Sequence, residues 1–211
     1  VVDADVSLRL LNSQEPLPDL LVAATAAMLT GWRWARGQAT PPALLALETH
    51  GRADALLDEP GARATDTGDT VGLLSSIYPM RVDPARPVSA QLAEIPGDGI
   101  DYGLLRYLRA DTAEQLAGFP SPQLLLNYLG AAHTGGGTEL RLERELLADV
   151  SPVPEPDLAV RHELTILAVV LTVGEQRMLA AQWRALPDIL DDADLAALQQ
   201  LWTDNLRKVA T

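Results

Sequence analysis

LTILAVVLTVGEQRMLAAQWRA, residues 164–185, decides the fold class. Leu164, Ile166, Ala168 and Val170 alternate with their neighbours up to Val173-Gly174, and Met178, Ala180, Gln182 and Arg184 return on the other arm. Alternation at period two on both sides of a Gly-containing turn predicts a β-hairpin. Directly after it the period changes. Leu195, Leu198, Leu201, Trp202, Leu206 and Val209 fall on one side of a helix over Asp191–Val209. A sheet element followed at once by an amphipathic helix calls for a mixed architecture.

The same mixture runs through the rest of the chain. Residues 1–12 alternate polar and apolar, the pattern of a strand. Pro16 and Pro18 punctuate. From Asp19, a candidate N-cap, to about Trp34 the apolar residues recur at helical spacing, and Gly37 is the expected stop. Residues 43–49 read as a short apolar strand bearing Glu48 near its end, 53–69 as a polar loop, and 71–82 as a further strand. Residues 88–95 and 103–117 look helical, and 123–129 form a strand. Gly135-Gly136-Gly137 would connect to an edge strand over 138–147, and Pro152, Pro154 and Pro156 would make a stiff link. Helices and strands mixed without strict alternation predict an α/β sandwich rather than a doubly wound sheet.

Composition narrows the function. The chain has 211 residues, 47% of them hydrophobic, which suits one large domain or one lobe of a bigger enzyme with a sizeable core. The formal charge is −13 and Lys208 is the sole lysine, so nucleic acid and anionic membrane surfaces are poor partners. No run of eighteen apolar residues predicts a spanning helix. There is no cysteine, which removes disulfides, thiol nucleophiles and cysteine metal sites and fits a cytoplasmic protein. The chain opens abruptly on VVDADVSLRLL, with acids where a signal peptide has a basic segment, as expected of a piece of a longer chain. His133 and His162 each lack a neighbouring ligand set, so no metal is expected. A Gly-x-Ser-x-Gly elbow is absent, and the glycines at 97, 99 and 103 lack the Lys and Ser/Thr of a phosphate-binding loop; they predict a tight turn into a helix.

Four motifs carry the functional reading: LALETHGR (45–52), DTVGLLSSIYPMRV (69–82), PGDGIDYGLLRYL (96–108) and LLLNYLG (124–130). In this order and spacing they resemble the second half of an epimerization domain of nonribosomal peptide synthetases. That family carries EGHGRE, VGWFTxxYP, a Gly-rich GYGLLRYL segment and FNYLG. Its HHxxxDG signature is absent here. The resemblance implies a chloramphenicol-acetyltransferase-like two-layer sandwich, a mixed β-sheet packed by helices. Residues 1–211 would be the C-terminal subdomain of a two-lobed epimerization or condensation-type domain. Such domains end in a comparable hairpin and a helix rich in Leu and Trp.

The implied reaction inverts the α-carbon of an aminoacyl or peptidyl thioester. The substrate rides on the phosphopantetheine of a carrier protein, and no cofactor binds the lobe itself. Inversion needs a base on one side of the carbon, an acid on the other, and a group that stabilises the enolate oxygen. Glu48 is the implied acid/base, opposed in the family by the second His of HHxxxDG; the plainer reading is a solvated carboxylate at a strand end. His50, on the same face as Glu48 if the strand continues, suits a hydrogen bond that orders the loop, with a direct proton role as the other reading. Arg52 is expected to pair with a carboxylate, although the acid that follows this Arg in the family is Ala53 here. Asn127 and Tyr128 line the family's active site, where they orient the Glu or contact the thioester. The competing reading makes them a buried polar pair satisfying backbone groups.

Ser75, Ser76 and Tyr78 are candidates to line the tunnel for the arm, while Leu73-Leu74 replaces the family's Trp-Phe. Leu126 stands for the usual Phe. Trp32, Trp34, Trp183 and Trp202 are expected in the core or between lobes. The implied partners are a peptidyl carrier protein, the N-terminal lobe of the same domain and neighbouring synthetase modules. The lobe is expected to be inactive in isolation and to dimerize or pack through the face it would turn to that partner lobe. Two other functions compete: a docking or scaffold lobe without chemistry, and a lobe of a peptide-bond-forming condensation domain. Condensation lobes carry patterns similar to IGxFVNTLxLR, HQDxPFE and RDxSRNPLF, and none occurs here.

Overall fold

Five strands form one mixed sheet: β1 (Ala43–Thr49), β2 (Ser76–Val82), β3 (Leu124–His133), β4 (Leu164–Val173) and β5 (Gln176–Ala185), in the spatial order β2-β1-β3-β4-β5. The structure is a computed structural model, and it describes residues 1–52, 54–56, 58, 65–133, 159–173 and 176–210. Strand β1 lies antiparallel to β2 and parallel to β3; β3 and β4 are parallel; β4 and β5 form the hairpin expected from the alternation. In that hairpin Leu164, Ile166, Ala168 and Val170 face the core beside Ala185, Trp183, Ala181 and Leu179.

Helices cover that side of the sheet. The long ones, α2 (Leu17–Ala35) and the C-terminal α6 (Asp192–Val209), pack against each other over a core that includes Leu45, Met28, Ile166 and Leu206, each fully buried. Trp202 is buried to 2% exposure, donates its indole N–H to the Thr25 hydroxyl at 3.0 Å, and meets the Trp183 ring edge-on at 5.6 Å. Helix α6 starts where the periodicity places it, with the Asp191 carboxylate accepting the N–H of Asp194 at 2.7 Å. No helix among the described residues is long and apolar enough to cross a membrane.

The N-terminal segment is a helix, α1 (Ala4–Leu11), not the expected strand. Val2, Val6 and Leu10 recur every four residues and are buried, while Leu8, which a strand would bury with them, is 59% exposed. Both periods fit so short a run, and packing against β5 selects the helical one. Helix α2 begins two residues before Asp19. Pro18 occupies its first turn, where a missing N–H costs no hydrogen bond, and Asp19 is a first-turn acid rather than the cap. Gly37, at φ 66°, ends it as expected, its N–H bonding the Trp34 carbonyl.

Strand β2 begins at Ser76 rather than residue 71, because β1 ends at the Thr49–Ser76 pair; Val71 and Leu73 are 100% and 92% exposed. The expected helix over 103–117 is two pieces. One runs as α4 (Ile100–Gly103) into a wider π-type turn, Leu104–Leu108; the other is α5 (Ala110–Ala117), beyond the extended Arg109. Helix α3 (Val88–Ala93) is shorter than the expected 88–95. Trp34 is 76% exposed and takes no part in the core, whereas Trp32 and Trp183 are half-buried against it. The Gly135–Gly137 connection, the edge strand over 138–147 and the Pro152–Pro156 link lie outside the described residues, as does Ala53.

Candidate functional site

Parallel pairing of β1 with β3 sets Glu48, near the carboxyl end of β1, opposite Asn127 within β3. Residues opposite in a ladder share a face. The Asn127 amide donates to Glu48 Oε2 at 2.7 Å, a charge-assisted bond between half-buried groups. A carboxylate that accepts one bond keeps lone pairs on both oxygens. The pair opens on a cleft of about 780 Å³, which Thr49, His50, Arg52, Ser75, Tyr78, Asp98 and Tyr128 also line.

His50 and Arg52 organise the loop that leaves β1. His50 Nδ1 accepts the backbone N–H of Arg52 at 2.9 Å. Among the described residues Arg52 forms no salt bridge with a carboxylate, contrary to the expectation from its motif. Its guanidinium donates to the carbonyls of Thr67 and, at 2.9 Å, Thr70. In the same loop Asp54 accepts the hydroxyl of Thr67 at 2.6 Å and its N–H at 3.0 Å, and these bonds hold the Asp54 carboxyl below its ordinary range. Gly51, at φ 64°, lies so close to the Leu74 carbonyl that any side chain would overlap it. The ETHGR loop and the Leu73–Ser75 segment are thereby packed onto each other.

Tyr78 forms part of the floor. It is 6% exposed, and Gly99 lies on its ring with no room for a Cβ. Gly97, Asp98 and Gly99 are all left-handed, the tight turn expected there, while Gly103 is helical and takes no part in it. Burial, with a smaller push from Asp98, raises the Tyr78 phenol above its ordinary range; burial also raises that of Tyr128, against an opposing pull from Arg177. Both phenols are donors at neutral pH, not bases.

The structure gathers Glu48, His50, Arg52, Ser75, Tyr78, Asn127 and Tyr128 around one cleft. Ser76 is not among its lining residues and lies near Gly103 of α4. Sequence reasoning missed Thr49, Asp98 and the wall formed by Pro18 of α2 and by Leu92 and Ile95 at α3. Only the left-handed turn at Asp98 had a local signal, its flanking glycines. His162 Nδ1 lies 3.0 Å from the Pro122 carbonyl, away from the cleft. Among the described residues no His, Asp and Glu cluster has the arrangement of a metal site.

No protein-family model matches the chain. It is 28% identical over 203 residues to a linear gramicidin synthase of Brevibacillus parabrevis, an alignment covering 90% of this chain and 4% of that one. It is 28% identical over 221 residues to nonribosomal peptide synthetase 5 of Gibberella zeae, covering 98% of this chain and 2% of that one. Among solved structures, the epimerization domain from the third module of tyrocidine synthetase B superposes with a TM-score of 0.72 at 21% identity, over 99% of this chain and 46% of that one. The first condensation domain of the calcium-dependent antibiotic synthetase, in complex with a substrate analogue, gives 0.53 at 15% identity, over 99% and 43%. The chain thus spans a few per cent of its curated relatives and less than half of the solved domains. Its fold is that of part of the epimerization and condensation domains on which it superposes.

Proposed function

We propose that this chain is the C-terminal lobe of a nonribosomal peptide synthetase domain that epimerizes the α-carbon of an aminoacyl or peptidyl thioester. The observation that carries the reading is the Glu48–Asn127 pair, a carboxylate fixed by an amide at the wall of an open cleft. A thioester acidifies its α-proton, and the reaction moves that proton off one side of the carbon and returns one to the other. Glu48 serves one side as acid or base. The opposing group comes from an N-terminal lobe bearing HHxxxDG, so this lobe alone is inactive.

Asn127 holds the carboxylate, and its second N–H offers a donor to the enolate oxygen, while Tyr128 lines the cleft from the next position on β3. His50 and Arg52 keep the loop in place beside Glu48 and do not transfer protons. Tyr78 and Ser75 line the path of the pantetheine arm. The partners are then a peptidyl carrier protein in the cytoplasm, the N-terminal lobe and the neighbouring modules.

A condensation role is the competing reading, favoured by the likeness to the condensation domain. The two separate in one assay of the two-lobed domain with aminoacylated carrier proteins. Epimerization exchanges the α-proton with solvent and yields mixed D and L thioester without an acceptor. Peptide bond formation without α-proton exchange would refute the epimerase reading.

A further inference from the structure

Thr49 carries a feature that the proposed chemistry leaves unused. Its hydroxyl oxygen is fully buried and has no hydrogen-bond partner among the described residues, yet the residue lines the cleft beside Glu48. A buried hydroxyl without a partner is destabilising and rare, so it calls for an explanation. Thr49 ends β1, opposite Ser76 in the ladder, and as the neighbour of Glu48 in a strand it faces the other side of the sheet. That side belongs to the core: Tyr78 is buried in it, and Leu92 and Ile95 pack against it. Thr49 therefore lines the cleft from its core side, the side on which Tyr78 lies. A third of a turn about χ1 carries the hydroxyl into another staggered position, so it can adjust to an arriving partner. The EGHGR pattern that ETHGR resembles has glycine here and offers no such group.

We propose that Thr49 is a specificity-determining residue: its hydroxyl bonds a hydroxyl or carboxamide on the side chain of the bound acyl group. The site then prefers threonyl-like groups to aliphatic ones of the same shape. The inference builds on the thioester reading above, and binding tests it separately from turnover. The probes are the pantetheine amides of threonine and valine, which differ by a hydroxyl against a methyl, titrated calorimetrically into the two-lobed domain.

One hydrogen bond gained and one orphan satisfied make the threonyl amide bind about tenfold tighter to the wild type. Thr49→Val brings the two amides level, and Thr49→Ser keeps the preference. The Thr49→Val variant melts no lower than wild type, because it deletes an unpaired buried hydroxyl. Equal binding by the wild type, a preference that survives in Thr49→Val, or a lowered melting temperature would each overturn the proposal. Exchange of the α-proton in the matching thioesters is scored apart. A binding preference without exchange keeps the role of Thr49 and removes the epimerase reading.

Discussion

Replacing Asn127 with Leu removes the bond to Glu48 and the amide's free N–H while leaving the strand intact. Asn127 is held in β3 by ladder pairing with Glu48 on one side and Leu167 on the other, and a leucine fits a strand, so the sheet persists. The bond lost is 2.7 Å long, to a carboxylate that is only partly shielded from water. Bonds to charged groups contribute about 1.5–3 kcal/mol, and partial exposure puts this one near the lower end, at about 1.5–2 kcal/mol. If Asn127 acts by holding Glu48, exchange of the α-proton by the two-lobed domain slows about 10- to 30-fold. A cycle with Glu48→Gln tests the physical cause. Read as unfolding free energy, Asn127→Leu costs about 1 kcal/mol less in the Glu48→Gln background than in the wild type, because the bond to the charged carboxylate is already gone. Equal losses in both backgrounds would refute the orienting role and leave Asn127 acting on the substrate alone. A wild-type rate in Asn127→Leu would remove the amide from the site altogether.

Two further outcomes concern the scaffold under the cleft. Trp202→Phe deletes the bond to Thr25, leaves that fully buried hydroxyl without its indole partner, and opens a void beside Trp183. The loss is about 2–4 kcal/mol, a drop of about 5–15 °C in melting temperature by calorimetry; a drop under about 2 °C would contradict the packing described. Gly99→Ala meets both a left-handed backbone at φ 87° and the Tyr78 ring, so urea unfolding should show a loss of about 2–4 kcal/mol. An unchanged midpoint would mean that the turn is not packed on Tyr78.

Local pattern and long-range pairing were not equally legible. The hairpin and α6 could be read because fifteen or more residues kept one period. The N-terminal segment could not, since so short a run of alternation also fits a helix, and its partner β5 lies far along the chain. The start of β2 was hidden for the same reason: a strand extends only as far as its neighbour, and β1 ends at Thr49. Glu48 and Asn127 stood out within their motifs, but their hydrogen bond joins positions 79 residues apart and exists only because β1 and β3 are adjacent and in register. Arg52 was expected to seek a carboxylate; the folded loop instead turns two backbone carbonyls toward it. Thr49 stood out only as a departure from glycine in its motif, because an unpartnered hydroxyl is defined by its surroundings.

The account turns on Glu48 moving the α-proton. The direct measurement follows loss of that proton into deuterated solvent from an aminoacylated carrier protein, using the two-lobed domain with Glu48 intact and with Glu48→Gln. The account predicts exchange in the first and none above background in the second, with both proteins folded and both binding the carrier. Exchange that persists in Glu48→Gln would contradict it, and so would a wild-type domain that binds the carrier and exchanges nothing.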